Sequence, residues 1–192
     1  EVLAFSMVKE EELLRATEEI QNLTYRQGEY KIFKVFEPKE RLIMALPFYD
    51  RVVQHMICNA IQPVFENGFY YHSYACRSGK GMHAASDTLY QWMYETEVKQ
   101  GLRMYAFKGD ISKYFASIPH DKLKDENRRY IGDKKALMLM DDIIDHNGIL
   151  PDGVGIPVGN LTSQLFANVY GNKLDKFCKH VLHIPYFVRY MD

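Results

Sequence analysis

The chain has little that would cross-link it, anchor it or charge it. Its three cysteines, Cys58, Cys76 and Cys178, are odd in number and far apart, with no CxxC pair. That argues against a disulfide framework or a zinc site and fits reduced thiols in the cytoplasm. No apolar run approaches the ~18 residues of a membrane span, and nothing resembles a secretory leader. Formal net charge is −1, so the chain does not hold a polyanion by bulk charge, and local basic faces would have to do it. Arg77 with Lys80 is one such face. Lys122, Lys124, Arg128, Arg129, Lys134 and Lys135 form another, which reads equally well as a solvated helix surface. There is no repeat and no low-complexity linker. No methionine opens the chain, and it stops on a carboxylate after an apolar run, as a piece of something longer would.

What is present is apolar and aromatic. Of 192 residues, 47% are hydrophobic and 14% aromatic, enough for a globular core in one or two domains. Leu13, Ala16, Ile20 and Leu23 recur at helical spacing behind Glu10, Glu11 and Glu12, which predicts an amphipathic helix over 8–23. β-rich runs at 30–36 and 41–46 flank Glu37-Pro38-Lys39-Glu40 and predict a hairpin. A helix is expected over 50–65, stopped near Pro63. After a loop at 70–81, another is expected over 82–100, with Ala85, Leu89, Trp92, Met93 and Thr96 inward and Gly101 as its cap. A strand at 103–107, helices near 121–130 and 134–146, a long helix over 161–182 and a strand at 186–191 complete the pattern. Strands and helices mix without βαβ alternation, so the class is α+β.

Three segments carry chemistry. In the first, a strand ends at Asp110 and runs into Ile111-Ser112-Lys113-Tyr114-Phe115. A carboxylate there, with the Ile111 carbonyl beside it, suits a hard cation; the plain alternative is a helix cap. The second runs from Gly155 to Asn168. Gly155 and Gly159 permit backbone that a Cβ would obstruct, and Asn160 or Thr162 can cap the following helix. The third is Tyr190-Met191-Asp192, a second carboxylate at a strand end. Two carboxylates on adjacent strands suit the paired Mg²⁺ ions of in-line phosphoryl transfer. Gly79-Lys80-Gly81 lacks the spacing of a P-loop.

In order and spacing these segments resemble the reverse transcriptases. More narrowly, they resemble the enzymes of bacterial and phage diversity-generating retroelements. In most reverse transcriptases the second segment reads Gln-Gly-x-x-x-Ser-Pro; here it reads Val158-Gly159-Asn160-Leu161-Thr162-Ser163-Gln164. An aliphatic residue in place of Gln, and Gln in place of Pro, resembles the diversity-generating group.

The resemblance implies fingers over 1–100 and a palm on an antiparallel sheet over 101–192, cut at the catalytic hairpin and without a thumb. It implies an RNA-directed DNA polymerase, with Asp110 and Asp192 as catalytic residues. Asp110, the Ile111 carbonyl and Asp192 would ligate two Mg²⁺, or Mn²⁺. A fragment ending here would not polymerise alone. The nucleotide would meet Ser112, Lys113, Tyr114, Phe115, Val158 and Gly159, with Phe115 beneath the sugar and excluding a 2′-hydroxyl; core packing is the bland role for that ring. Lys34 and Arg41, facing each other on the hairpin, would grip the triphosphate, with Lys39 competing for the lysine role and a merely solvated hairpin as the alternative. Arg51, Tyr74, Arg77, Lys80, Asn160 and Gln164 would meet template or primer; Arg51 reads equally as an ion-pair partner. The implied partners are an RNA template, a DNA or RNA primer, dNTPs and a small basic accessory protein, with no membrane, in a bacterial or phage-encoded system. The rivals are a group II intron, retron-like or phage-defence reverse transcriptase, and a non-catalytic RNA-binding module.

Overall fold

A computed structural model describes residues 1–36 and 40–192. Its centre is a helical layer. Helices α1 (Val2–Met7) and α2 (Lys9–Gln21) lead into a hairpin of β1 (Lys31–Val35) and β2 (Arg41–Ala45). Helix α3 (Phe48–Glu66) buries Val53, Ile57, Ile61 and Phe65, one residue per turn along a single stripe. Helix α4 (Met82–Met93) continues as a π-helical stretch over Tyr94–Lys99. A short α5 (Tyr114–Ser117), then α6 (His120–Arg128) and α7 (Lys134–Asp145), precede α8 (Leu161–His180). Helix α8 packs on α3 and α6. Phe65, Ile118, Leu123, Ile144, Ile156 and Phe166 meet in one buried cluster. Phe166 is 1% exposed. Phe166→Ala is expected to cost about 3–5 kcal/mol of stability, from lost burial plus the cavity left behind. A denaturant melt at unchanged slope measures it.

The expected α+β class and the order of elements hold. Four local expectations do not. Helix α3 runs through Pro63 to Glu66. Proline removes the hydrogen bond to the Asn59 carbonyl, but Asn59 is exposed to water, while Ile61 and Phe65 are buried on either side of the proline and hold the last turn. Leu89 and Met93 on α4 are exposed, and only Ala85 and Thr96 of the expected inner face are fully buried. Residues 103–107 form no strand, and Tyr105 and Phe107 are 82% and 98% exposed. Residues 186–191 pair only at Arg189, in a parallel bridge to Ser73. The expected antiparallel palm sheet is therefore not formed; the hairpin β1–β2 is the one sheet among the described residues. A run of β-formers becomes a strand only where a second backbone offers the matching donors and acceptors.

The hairpin is tied to the glycine segment. The Met44 N–H donates to the Val158 carbonyl at 3.0 Å. Gly159 has φ 128, and a Cβ there would lie 2.8 Å from the Met44 carbonyl oxygen. Only glycine lets this backbone lie so close to β2.

Candidate active site

The site is assembled on α8. Lys113, with φ 52, turns the chain from the Asp110 segment into α5. Tyr114 is 5% exposed and its O–H donates to the Ala167 carbonyl at 2.8 Å. Burial pushes its phenol well above the ordinary range. Tyr114 is thus an anchor on α8 and not a nucleotide contact, which corrects the expectation: its hydroxyl is taken and its ring enclosed. Phe115 is half-buried, edge-on to Tyr114 at 6.0 Å between centroids, and packs against the core while leaving part of its ring outside. The Ile156 N–H donates to the Phe115 carbonyl at 2.9 Å, and the Gly155 N–H to the Ile118 carbonyl at 2.8 Å. Phe115 and the strip leading to Val158 are thereby stitched together. Val158 is 37% exposed and free to touch a ligand. Asp110, Ile111, Ser112 and Lys113 are exposed.

Asp192 is reached through Arg189. This arginine is 5% exposed, and each of its five N–H donors can be matched with an acceptor. Nε bonds Asp175 Oδ1 at 2.7 Å. Nη1 bonds Asn168 Oδ1 at 3.2 Å and the Met191 carbonyl. Nη2 bonds Ser73 Oγ at 3.1 Å and the Asn168 carbonyl at 3.4 Å. Asp175 is fully buried, and its second oxygen has no partner among the described residues. Burial pushes its carboxyl upward even though Arg189 pulls the other way. Met191 has φ 69, and the Asp192 N–H returns to the Tyr190 carbonyl at 3.1 Å. A side chain in that backbone region costs on the order of 1–3 kcal/mol, so the surroundings must hold it there.

The two carboxylate-bearing segments converge on one glycine. A Cβ at Gly171 of α8 would lie 2.8 Å from the Tyr114 hydroxyl and 2.8 Å from Arg189 Cζ and Nη1. Sequence reading missed Asn168, Gly171, Asn172, Asp175 and Arg189. Asn172 holds the loop before α4, accepting from the Tyr70 N–H at 2.9 Å and donating to the Gly68 carbonyl at 2.9 Å. A signal was present: Asn168, Asn172 and Asp175 recur at i, i+4 and i+7, a polar stripe on a helix that also carries Leu165, Phe166, Ala167 and Val169.

Several expected contacts fall elsewhere. Lys34 pairs in register with Leu42, and Arg41 with Val35. Cross-strand partners share a face and successive residues alternate, so Lys34 and Arg41 lie on opposite faces of the ribbon instead of facing each other. Lys34 forms an ion pair with Glu40. Lys39 lies outside the described residues. Tyr74 is 2% exposed, its hydroxyl bonded to His72 and Thr88, so its ring offers no stacking face. The Arg77 side chain is nearly buried, bonded to Glu66 and to the carbonyls of Tyr70 and Ser73, and it clamps the loop instead of facing a template. Asn160 is buried; it occupies the cap position of α8, but its amide donates to the Tyr30 hydroxyl at 2.7 Å and does not cap. Lys80 sits 3.5 Å from the Tyr71 ring centroid with Tyr71 itself exposed. Arg51 and Gln164 are exposed, and Arg51 meets Glu1 at 3.4 Å.

Among the described residues no group of three or more His, Cys, Asp or Glu is close enough to hold a metal. Asp110 and Asp192 are exposed and enter no ion pair among the described residues. All their donors are oxygens. That set suits Mg²⁺, which keeps several waters and needs one or two carboxylates besides substrate phosphates.

The family described as reverse transcriptase (RNA-dependent DNA polymerase) matches residues 34–192. The protein YkfC of Escherichia coli K12 is 28% identical over 134 residues, covering 67% of this chain and 34% of that protein. An uncharacterized 91 kDa protein in the cob intron of Schizosaccharomyces pombe is 29% identical over 137 residues, 69% of this chain and 16% of that one. A putative COX1/OXI3 intron 2 protein of Saccharomyces cerevisiae is 23% identical over 137 residues, 68% of this chain and 15% of that one. The chain spans about a third or less of the length of these relatives. No helix among the described residues is long and apolar enough to cross a membrane.

Proposed function

The chain belongs to the reverse transcriptase family, and on that premise we propose that its complete protein copies RNA into DNA. A primer 3′-hydroxyl attacks the α-phosphate of a dNTP and pyrophosphate leaves. Residues 1–100 act as fingers and 101–192 as palm. One observation carries this reading: the Asp110 segment, through Tyr114, and the Asp192 segment, through Arg189, are both seated on α8 against Gly171. Asp110, the Ile111 carbonyl and Asp192 would hold two Mg²⁺, or Mn²⁺, which when bound supply Lewis-acid activation of the hydroxyl and charge neutralisation at the phosphates. The chain's own share is positioning and electrostatics. The exposed part of Phe115 lies under the sugar. Val158 and Gly159 border the nascent pair. Lys34 and Arg41 lie on opposite faces of the ribbon, so one of the two, not both, faces the triphosphate. Arg51 and Gln164 are exposed for template or primer, and half-buried Lys80 would have to leave the Tyr71 carbonyl, 3.0 Å away, to join them. The test is extension of a primer on an RNA template with dNTPs and Mg²⁺. Absence of any RNA-templated product from the complete protein would leave the non-catalytic RNA-binding module as the reading.

The subclass rests on Val158. It has no polar atom and senses only the shape of the base pair. Discrimination by apolar contact alone is worth about 1–3 kcal/mol, less than a hydrogen-bonding site achieves. We therefore assign an error-prone enzyme of a diversity-generating retroelement, working with a template-repeat RNA and a small basic accessory protein. Val158→Gln is expected to raise fidelity, chiefly opposite template adenine, measured as an error spectrum of sequenced cDNA. Equal spectra for both proteins remove that role. The second reading is an intron-encoded reverse transcriptase, which the two yeast intron proteins among the relatives favour. It predicts low error with Val158 in place.

A further inference from the structure

We propose that Arg189 is a positioning residue that orients the Asp192 carboxylate, by pinning the Met191 carbonyl from a guanidinium fixed on α8. The proposal rests on the reading of Asp192 as a metal ligand.

Five acceptors surround this side chain, and a guanidinium has five donors in one rigid plane. Four of the bonds end on scaffold: three on α8 and one on Ser73. The fifth ends on Met191, the residue with φ 69 directly before Asp192. With four donors anchored, the plane cannot rotate, and the direction of the fifth is set. The arginine backbone is held too. Its N–H donates to the His72 carbonyl at 3.1 Å, and its carbonyl accepts from the Tyr74 N–H at 3.0 Å. Main chain and side chain are thereby fixed two residues upstream of a left-handed turn.

Gly171 supplies the room. Any side chain there would run into Cζ and Nη1 at 2.8 Å. The same glycine admits the Tyr114 hydroxyl at 2.8 Å, so one notch in α8 registers both carboxylate segments. A buried ion pair of Arg and Asp is a weak means of stabilising a fold, since well-packed apolar residues of similar volume are often as good. What it supplies here is direction. Groups that orient metal ligands from behind typically change metal affinity or activity by 10–100-fold when altered.

The experiment compares Arg189→Lys, Gly171→Ala and Asp192→Asn in the complete protein. Lysine keeps the charge and loses the fork. Alanine at 171 deletes no polar group but displaces the Tyr114 hydroxyl as well as the guanidinium, so Arg189→Lys, which leaves Tyr114 in place, is the specific arm. For Arg189→Lys and Gly171→Ala we expect kcat to fall about tenfold or more, with the Mg²⁺ concentration for half-maximal rate raised, and KM for dNTP changed by no more than about twofold. Binding of Mn²⁺ to the nucleotide-free protein, followed by paramagnetic resonance, is expected to weaken about tenfold, and the Asp192 amide to exchange faster with solvent. A merely structural role lowers the melting temperature and leaves the kcat of the folded fraction, its Mg²⁺ requirement and its Mn²⁺ affinity at wild-type values; that result overturns the proposal. Should Arg189→Lys fail to fold, Ser73→Ala removes one of the five bonds. A raised Mg²⁺ requirement then supports the proposal and an unchanged one overturns it. If Asp192→Asn is inactive while the other variants behave as wild type, only the positioning role fails. If Asp192→Asn keeps full activity and Mn²⁺ affinity, the metal-ligand reading falls and the proposal with it.

Discussion

Asp110→Asn in the complete protein is expected to abolish primer extension and leave the fold intact. The carboxylate is exposed and enters no ion pair among the described residues, so removing its charge releases no buried partner. An amide keeps the shape but loses the negative charge that attracts a divalent cation. The measurement pairs extension rate with circular dichroism on one preparation. A rate above about a tenth of wild type refutes the ligand assignment, because a tenfold loss is only ~1.4 kcal/mol of barrier. Asp110 is a sharp place for this test because nothing in the surrounding packing depends on it. Tyr114, four residues on, carries the attachment to α8.

Phe115→Ala is expected to admit ribonucleotides, shifting the ratio of kcat/KM for rNTP over dNTP toward the ribonucleotide by one to two orders of magnitude, the size of a strong steric exclusion at roughly 1.4 kcal/mol per factor of ten. The ring is half-buried, so the variant also loses core contacts. A ratio is immune to that loss, since fewer folded molecules lower both efficiencies equally. A fall in both at constant ratio would make Phe115 a packing residue alone. Its backbone bond to Ile156 survives the change, so the strip that carries Val158 keeps its place, and the two sites are testable independently.

Periodic elements were legible because they answer to neighbours along the chain. The apolar spacing in α2, α3, α7 and α8 is a local property, and each helix appears near its expected limits. The hairpin was legible for the same reason, with runs of β-formers either side of a short turn. Boundaries and strands were less so. Pro63 was expected to stop α3, because proline's missing donor is visible in sequence while the burial of Ile61 and Phe65 that keeps the turn together is not. Residues 103–107 alternate like a strand and stand exposed, because alternation states a preference and pairing needs a second backbone at 4.7–4.9 Å.

The same division runs through the candidate site. Sequence alone determined the carboxylates, the aromatic pair after Asp110, the glycine segment and the family they resemble, since these are residue types at chain spacings. Only the tertiary structure decided which of them are exposed and which are taken up by the scaffold. It buried Tyr74, Tyr114 and Asn160, spent Arg77 on loop carbonyls, and put Lys34 and Arg41 on opposite faces of the ribbon. It also brought Arg189 to Asp175, Asn168 and Ser73, groups up to 116 positions apart in the chain. The physical reason is the range of the forces involved. Helical periodicity and turn geometry act over a few residues and leave their mark in order and spacing. A buried charge is settled by which acceptors surround it when the chain has folded, and no local pattern records that.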